Sequence, residues 1–271
     1  MKVLIRSSIY VAVVWIGFAA CSWAQESHIG KLTGHVAAGK DTFARYCNGC
    51  HGVRGDGNGT FAQYLDPRPR DYTLGVFKCR STPSGSLPTD KDLYNTMSRG
   101  IVTAAMPSWA SLTPEIRADV IAYLKTFCPR FTTEKPGEPI DIPSETAGTI
   151  VEIKQGAEVY RKMECARCHG ALGHGDGPDA PTLVDIKKRP IPPYDFTLTE
   201  RFKCGGTNTD LYRTFMTGMD GTPMPSYADK LTPEQVWALV HFVRTLQTSH
   251  KSRENKTHAA GGSLALSPSA P

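Results

Sequence analysis

The sequence predicts an all-α protein in which one small helical unit is written twice, and three observations carry that expectation. The block "DLYNTMSRGIVTAAMPSWASLTPE" from Asp92 returns as "DLYRTFMTGMDGTPMPSYADKLTPE" from Asp210, 118 residues later. Both blocks run into apolar stripes at helical spacing: Ile116, Val120, Tyr123 and Leu124 in one, Val236, Leu239, Val240 and Val243 in the other. Between them no alternating apolar run is long enough for a sheet.

In chain order, Lys2 and Arg6 precede the apolar run "IYVAVVWIGFAA" from Ile9 to Ala20. Twelve residues fall short of the roughly 20 that span a bilayer as a helix. A basic start, an apolar middle and small residues behind it read as a secretory signal over residues 1–24, with cleavage before Gln25. The competing exit is "FAAC", which resembles a lipobox and would leave Cys21 as a lipid anchor. Either route predicts a periplasmic protein with no transmembrane span in the mature chain. Removal of the leader lowers the excess of basic over acidic residues from five to three. Without a clustered basic face, this gives no nucleic-acid signature.

The first unit is expected over residues 36–131 and the second over 150–248. "GKDTFARYC" and "QGAEVYRKMEC" open them with apolar residues at helical spacing. "RDYTLGVFKC" (Arg70 to Cys79) is matched by "YDFTLTERFKC" (Tyr194 to Cys204), and glycine turns containing Gly55–Gly57 and Gly175–Gly177 follow at matching places. Thr113 and Thr232 stand as N-caps before Pro114 and Pro233, where the missing N–H costs nothing, and Glu115 and Glu234 suit the positive helix start. Residues 132–149, with Pro136, Pro139 and Pro143, read as an extended linker. Residues 249–271, rich in Ser, Ala and Gly, read as a disordered tail.

The chemistry lies in "CNGCHG" from Cys47 and "CARCHG" from Cys165. Zinc would need a second ligand pair near each cysteine pair, or both pairs on one ion, and either leaves the fixed histidine unexplained. A thioredoxin-like pair expects a βαβ setting, and none is present. Two thiols that add across the vinyl groups of a haem, with the next imidazole on its iron, account for every residue. One helical turn then presents Cys47 and Cys50 at the ring edge with His51 on the metal, and Cys165, Cys168 and His169 repeat the set. For the second axial face, Met106 and Met224 each lie 55 residues past their histidine, each followed by proline that stiffens the loop. Met97, Met163, Met216 and Met219 read as packing.

The order of helix, CxxCH, glycine turn, Met-Pro loop and closing helix resembles class I c-type cytochromes from Ala37 to Leu246. The resemblance implies two tandem cytochrome c-like domains, each wrapping one covalently bound haem c, with His51, Met106, His169 and Met224 on iron. It implies periplasmic electron transfer between a donor, a dehydrogenase or quinol-oxidising system, and a terminal oxidase or reductase. Redox partner proteins are then the expected partners. The "APTL" of Ala180 to Leu183 is similar to the family's loop whose proline carbonyl accepts the proximal histidine N–H. The first unit has "AQYL" (Ala62 to Leu65) there instead, with Pro67 or Pro69 as substitutes.

Cys79, Cys128 and Cys204 remain, an odd set that allows one disulfide in either of two pairings involving Cys79. A thiolate from Cys79 or Cys204 on iron would instead suit a thiosulfate-oxidising dihaem enzyme. His174 and His241 are weaker ligand candidates, and Trp109 and Tyr227 are expected to cover the ring face. With His and Met on each iron no substrate position is left, so the reading is a carrier and not an enzyme. The alternatives are a dihaem peroxidase or thiosulfate dehydrogenase, or a cytochrome subunit of a larger respiratory complex.

Overall fold

The computed structural model describes residues 26–198 and 202–261. The leader with Cys21 and the last residues, 262–271, lie outside the described residues. Helix α1 (Val36–Tyr46) runs into the one-turn α2 (Asn48–His51); α3 (Asp90–Arg99), α4 (Pro114–Lys125) and the short α5 (Arg130–Thr133) follow. The second half repeats the order with α6 (Ile150–Lys162), α7 (Ala166–His169), α8 (Asn208–Thr217) and α9 (Pro233–Gly261).

The local signals behave as physics requires. Thr89, Thr149 and Thr207 each accept a hydrogen bond from the backbone N–H three residues on. Asp92, Glu152 and Asp210 return one to the cap's own N–H, giving three capping boxes. Thr113 and Thr232 cap α4 and α9 through Ile116 and Gln235 N–H, both at 3.4 Å. In each half the first helix crosses the last at a glycine. A Cβ on Gly39 would sit 2.0 Å from the Asp119 carbonyl oxygen, and one on Gly156 2.0 Å from that of Ala238. Any side chain at these two positions would push the helices apart.

Each half has its own core. Phe43, Leu93, Val120 and Ile121 anchor the first, and Tyr212, Phe215, Trp237 and Val240 the second. Met97 lies in the first core, while Met163 and Met216 pack against the second. Two features depart from the sequence reading. A two-stranded hairpin, β1 (Glu26–Ile29) and β2 (Leu32–His35), precedes α1 and is tied to α4 by Ser27 Oγ donating to the Ala118 carbonyl at 2.7 Å. Four residues per strand are too few for alternation to register. Helix α9 also continues to Gly261, through residues assigned to a tail. Lys251 to Ala260 holds good helix formers and no proline or glycine, so nothing stops propagation before Gly261.

The halves are joined by more than residues 132–149. Past the end of α5 that segment has no helix or strand over 134–149, and the Ile140 N–H donates to the Ser81 carbonyl at 2.8 Å while Ile142 packs on the second core. A disulfide joins Cys79 to Cys204, which settles the pairing left open above and excludes either as a thiolate ligand. Arg80, fully buried, reaches from the first half to the Thr217 carbonyl (2.6 Å) and to Asp220 (2.8 Å). Asp220 also accepts from Ser84 Oγ and from the Gly85 N–H. Lys187 pairs with Asp71 across the same boundary.

Arg80→Ala removes one member of a buried pair. It is expected to lower stability by about 3 kcal/mol, since Asp220 keeps two of its donors. The loss would be read as a lower urea midpoint.

Candidate functional site

Helix α1 ends at Tyr46 because Cys47 turns the chain into α2, which carries Cys50 and His51 on a single turn. Gly52, at φ 77°, then breaks the helix, and Gly170 at φ 78° does the same after α7. Each turn is held from behind. The Gly57 N–H donates to the His51 carbonyl at 2.9 Å and the Gly175 N–H to the His169 carbonyl at 2.8 Å. Gly57 and Gly175 are therefore the equivalent glycines, two residues out of phase with the GDG match in the sequence.

The two imidazoles are fixed alike. His51 Nδ1 lies 3.3 Å from the Arg70 carbonyl oxygen, and His169 Nδ1 3.0 Å from that of Tyr194. A carbonyl can only accept, so both rings carry the proton on Nδ1 and leave a lone pair on Nε2. Burial holds both below the ordinary imidazole range against the opposing pull of these carbonyls, which favours the neutral ligand form. The acceptors are thus Arg70 and Tyr194, not Pro181, Pro67 or Pro69. Pro181 is exposed in a 3-10 turn, while the repeated "RDYT/YDFT" block passes the histidines. Tyr72 stacks on His51 with centroids 4.8 Å apart, its hydroxyl 3.4 Å from Nε2, and Phe196 stacks on His169 at 4.3 Å.

Burial, with Cys50 beside it, pushes Cys47 up to about 11, and burial likewise pushes Cys165 up to about 11. Among the described residues no three His, Cys, Asp or Glu side chains converge to hold a metal ion, so the two motifs do not join in one zinc site.

Met106 and Met224 sit in loops pinned to the preceding helices. The Ile101 N–H donates to the Met106 carbonyl (2.9 Å) and the Met219 N–H to the Met224 carbonyl (3.1 Å). The Trp109 and Tyr227 N–H groups return to the carbonyls of Met97 and Phe215. Cys47, Cys50, His51, Met106 and Trp109 all line one cavity of about 580 Å³ that is otherwise largely apolar. That donor set and a volume within the 300–1,000 Å³ range of cofactor pockets fit a flat porphyrin held by two thioethers. In the second half, Cys165 and Met224 pack against one core and His169 stacks on Phe196 of that same core. His174 and His241 stand apart, beside Thr197 (3.4 Å) and Thr146 (3.2 Å).

The cavity also carries charge that sequence reasoning missed. Arg70, Lys78 and Lys203 face it; burial lowers all three, joined by repulsion from Arg189 on Arg70 and from Arg70 on both lysines, and Lys78 comes down to about 7. The signal was the lysine in each repeated "FKC", which looked unremarkable while the disulfide was unknown.

A family model described as cytochrome c matches residues 153–247, and one described as cytochrome C oxidase, cbb3-type, subunit III matches 34–124. Among solved structures, a chain of the Kuenenia stuttgartiensis reducing HAO-like protein complex Kustc0457/Kustc0458 is 44% identical. The match covers 77% of this chain and 95% of that one, with a TM-score of 0.76. No curated protein matches. Among the described residues, no helix is long and apolar enough to cross a membrane.

Tyr72→Phe gives the first site the residue the second already uses. It is expected to cost no more than about 1 kcal/mol, the worth of one hydrogen bond, in urea unfolding of the loaded protein.

Proposed function

The chain belongs to the c-type cytochromes, in tandem form, and from that premise we propose a dihaem electron carrier of the periplasm. It takes electrons from a donor dehydrogenase or quinol-oxidising system and passes them to an oxidase or reductase. Its two domains, 36–131 and 150–248, each hold one haem c, through Cys47 and Cys50 and through Cys165 and Cys168. The observation that carries this is the matched pair of histidines anchored through Nδ1, which leaves Nε2 as the lone-pair nitrogen, with Met106 lining the cavity of His51 and Met224 on the core that His169 stacks against. Bound haem supplies one-electron chemistry at iron. The protein's part is to hold the imidazole in one tautomer, to offer a thioether from the Met-Pro loop as a further ligand, and to keep water from the ring with apolar walls. Met106 and Met224 would join His51 and His169 in holding the iron, and with all four engaged no coordination position would be left for a substrate. Methionine also favours a raised potential, suited to accepting electrons.

A second reading, as a cytochrome subunit of a larger redox assembly, is favoured by the 44% identical chain that belongs to a protein complex. Co-purification from the native source under mild conditions separates the two: an isolated chain supports the free carrier, and a defined assembly supports the subunit.

Mass spectrometry of the exported protein is expected to find the added mass of two rings. Cys47→Ala with Cys50→Ala should remove one ring and leave the other.

Met106→Ala and Met224→Ala are each expected to remove about half of the methionine–iron charge-transfer absorption of the oxidised protein and to lower one potential. Full absorption in either variant would exclude that methionine as a ligand.

A further inference from the structure

The repeated "FKC" block does more than supply a disulfide. Because Cys79 and Cys204 are bonded, the lysines just before them, Lys78 and Lys203, come from different halves of the chain to one wall of the first cavity. Arg70 joins them there. The acidic groups of that wall are already engaged. Asp71 takes Lys187 and the Thr73 hydroxyl, and Asp185 takes Nε and Nη2 of Arg189 at 2.9 and 2.7 Å. Asp66, the remaining carboxylate on the cavity, is exposed. Among the described residues no carboxylate forms a hydrogen bond or ion pair with Arg70, Lys78 or Lys203; Asp71 and Asp185 attract Arg70, and Asp185 attracts Lys78, only at longer range. Three like charges held in partial burial repel one another, and burial with this repulsion is what pushes Lys78 down to about 7. Such an arrangement is stable when an anion lies among the cations.

We propose that Arg70, Lys78 and Lys203 form one anion site shared by the two halves, and that its ligand is the carboxylate edge of the porphyrin attached through Cys47 and Cys50. The assignment rests on the reading of the first cavity as a haem site. It adds that the second domain, through Lys203, supplies part of the first ring's electrostatic surroundings. One electron added to the ferric iron lowers the charge of the ring by one unit, and nearby cations favour that reduced form. Removing a cation therefore lowers the potential of the first ring.

The test uses the doubly loaded holoprotein in an optically monitored redox titration, comparing wild type with Lys78→Gln, Lys203→Gln and Lys203→Arg. Mass spectrometry first establishes two rings and an intact Cys79–Cys204 bond; absence of the rings would overturn the parent reading and this assignment with it. The expected result is a threefold to tenfold fall in the reduction equilibrium constant of one ring in each glutamine variant, where tenfold corresponds to 59 mV for one electron. The other ring should move less, and Lys203→Arg should restore the wild-type value. Unchanged potentials in both glutamine variants, with or without a lower melting temperature, overturn the proposal and leave the lysines a structural role. A repeat with and without inorganic phosphate separates the two sources of anion. A shift that persists without phosphate supports the ring carboxylates, and one that needs phosphate assigns the site to a diffusible anion.

Discussion

Backbone against backbone at two glycines is the constraint on which the architecture depends. Where α1 meets α4, and again where α6 meets α9, there is no room for even a methyl group between the helix and a facing carbonyl. The opening helix is thereby held against the closing one at a single point. The cysteine pair follows a few residues further along the opening helix, so its position relative to the core is fixed before any cofactor arrives. The apolar stripes, the caps and the Met-Pro loops are consequences of that crossing, since each has one place left to go.

From that crossing the chemistry builds outward in layers. The one-turn helices α2 and α7 end at glycines with positive φ, and the next loop donates N–H groups back to the histidine carbonyls. A later loop passes close enough for its own carbonyls, at Arg70 and Tyr194, to fix the imidazole proton. Both methionines sit in stiff loops, each closed by a backbone bond to the methionine carbonyl and tied at its far end to the preceding helix.

Much of this was legible in the residues. CxxCH, the Met-Pro loops, the threonine caps with proline behind them and the duplication all depend on near neighbours or on fixed spacing, and spacing survives in a linear string. The parts that escaped depend on long-range geometry. The carbonyl acceptors are main-chain atoms without a side-chain signature, so family likeness pointed to Pro181 while the chain used Tyr194. The hairpin was too short to show a period, and α9 runs past its apolar stripe through a stretch that has no proline or glycine to end it. Lys78 and Lys203 became meaningful when the disulfide put them side by side.

The docked connecting segment, the Arg80–Asp220 contact and the disulfide are three fasteners across one boundary, so residues 132–149 do not act as a hinge. A molecule built this way tumbles as a single particle. With a haem in each half, as proposed, the distance between the two rings would not fluctuate with segmental motion, and transfer between them would be independent of protein concentration. A partner meeting such a body would have to find one correct orientation of the whole, because neither half can swing independently.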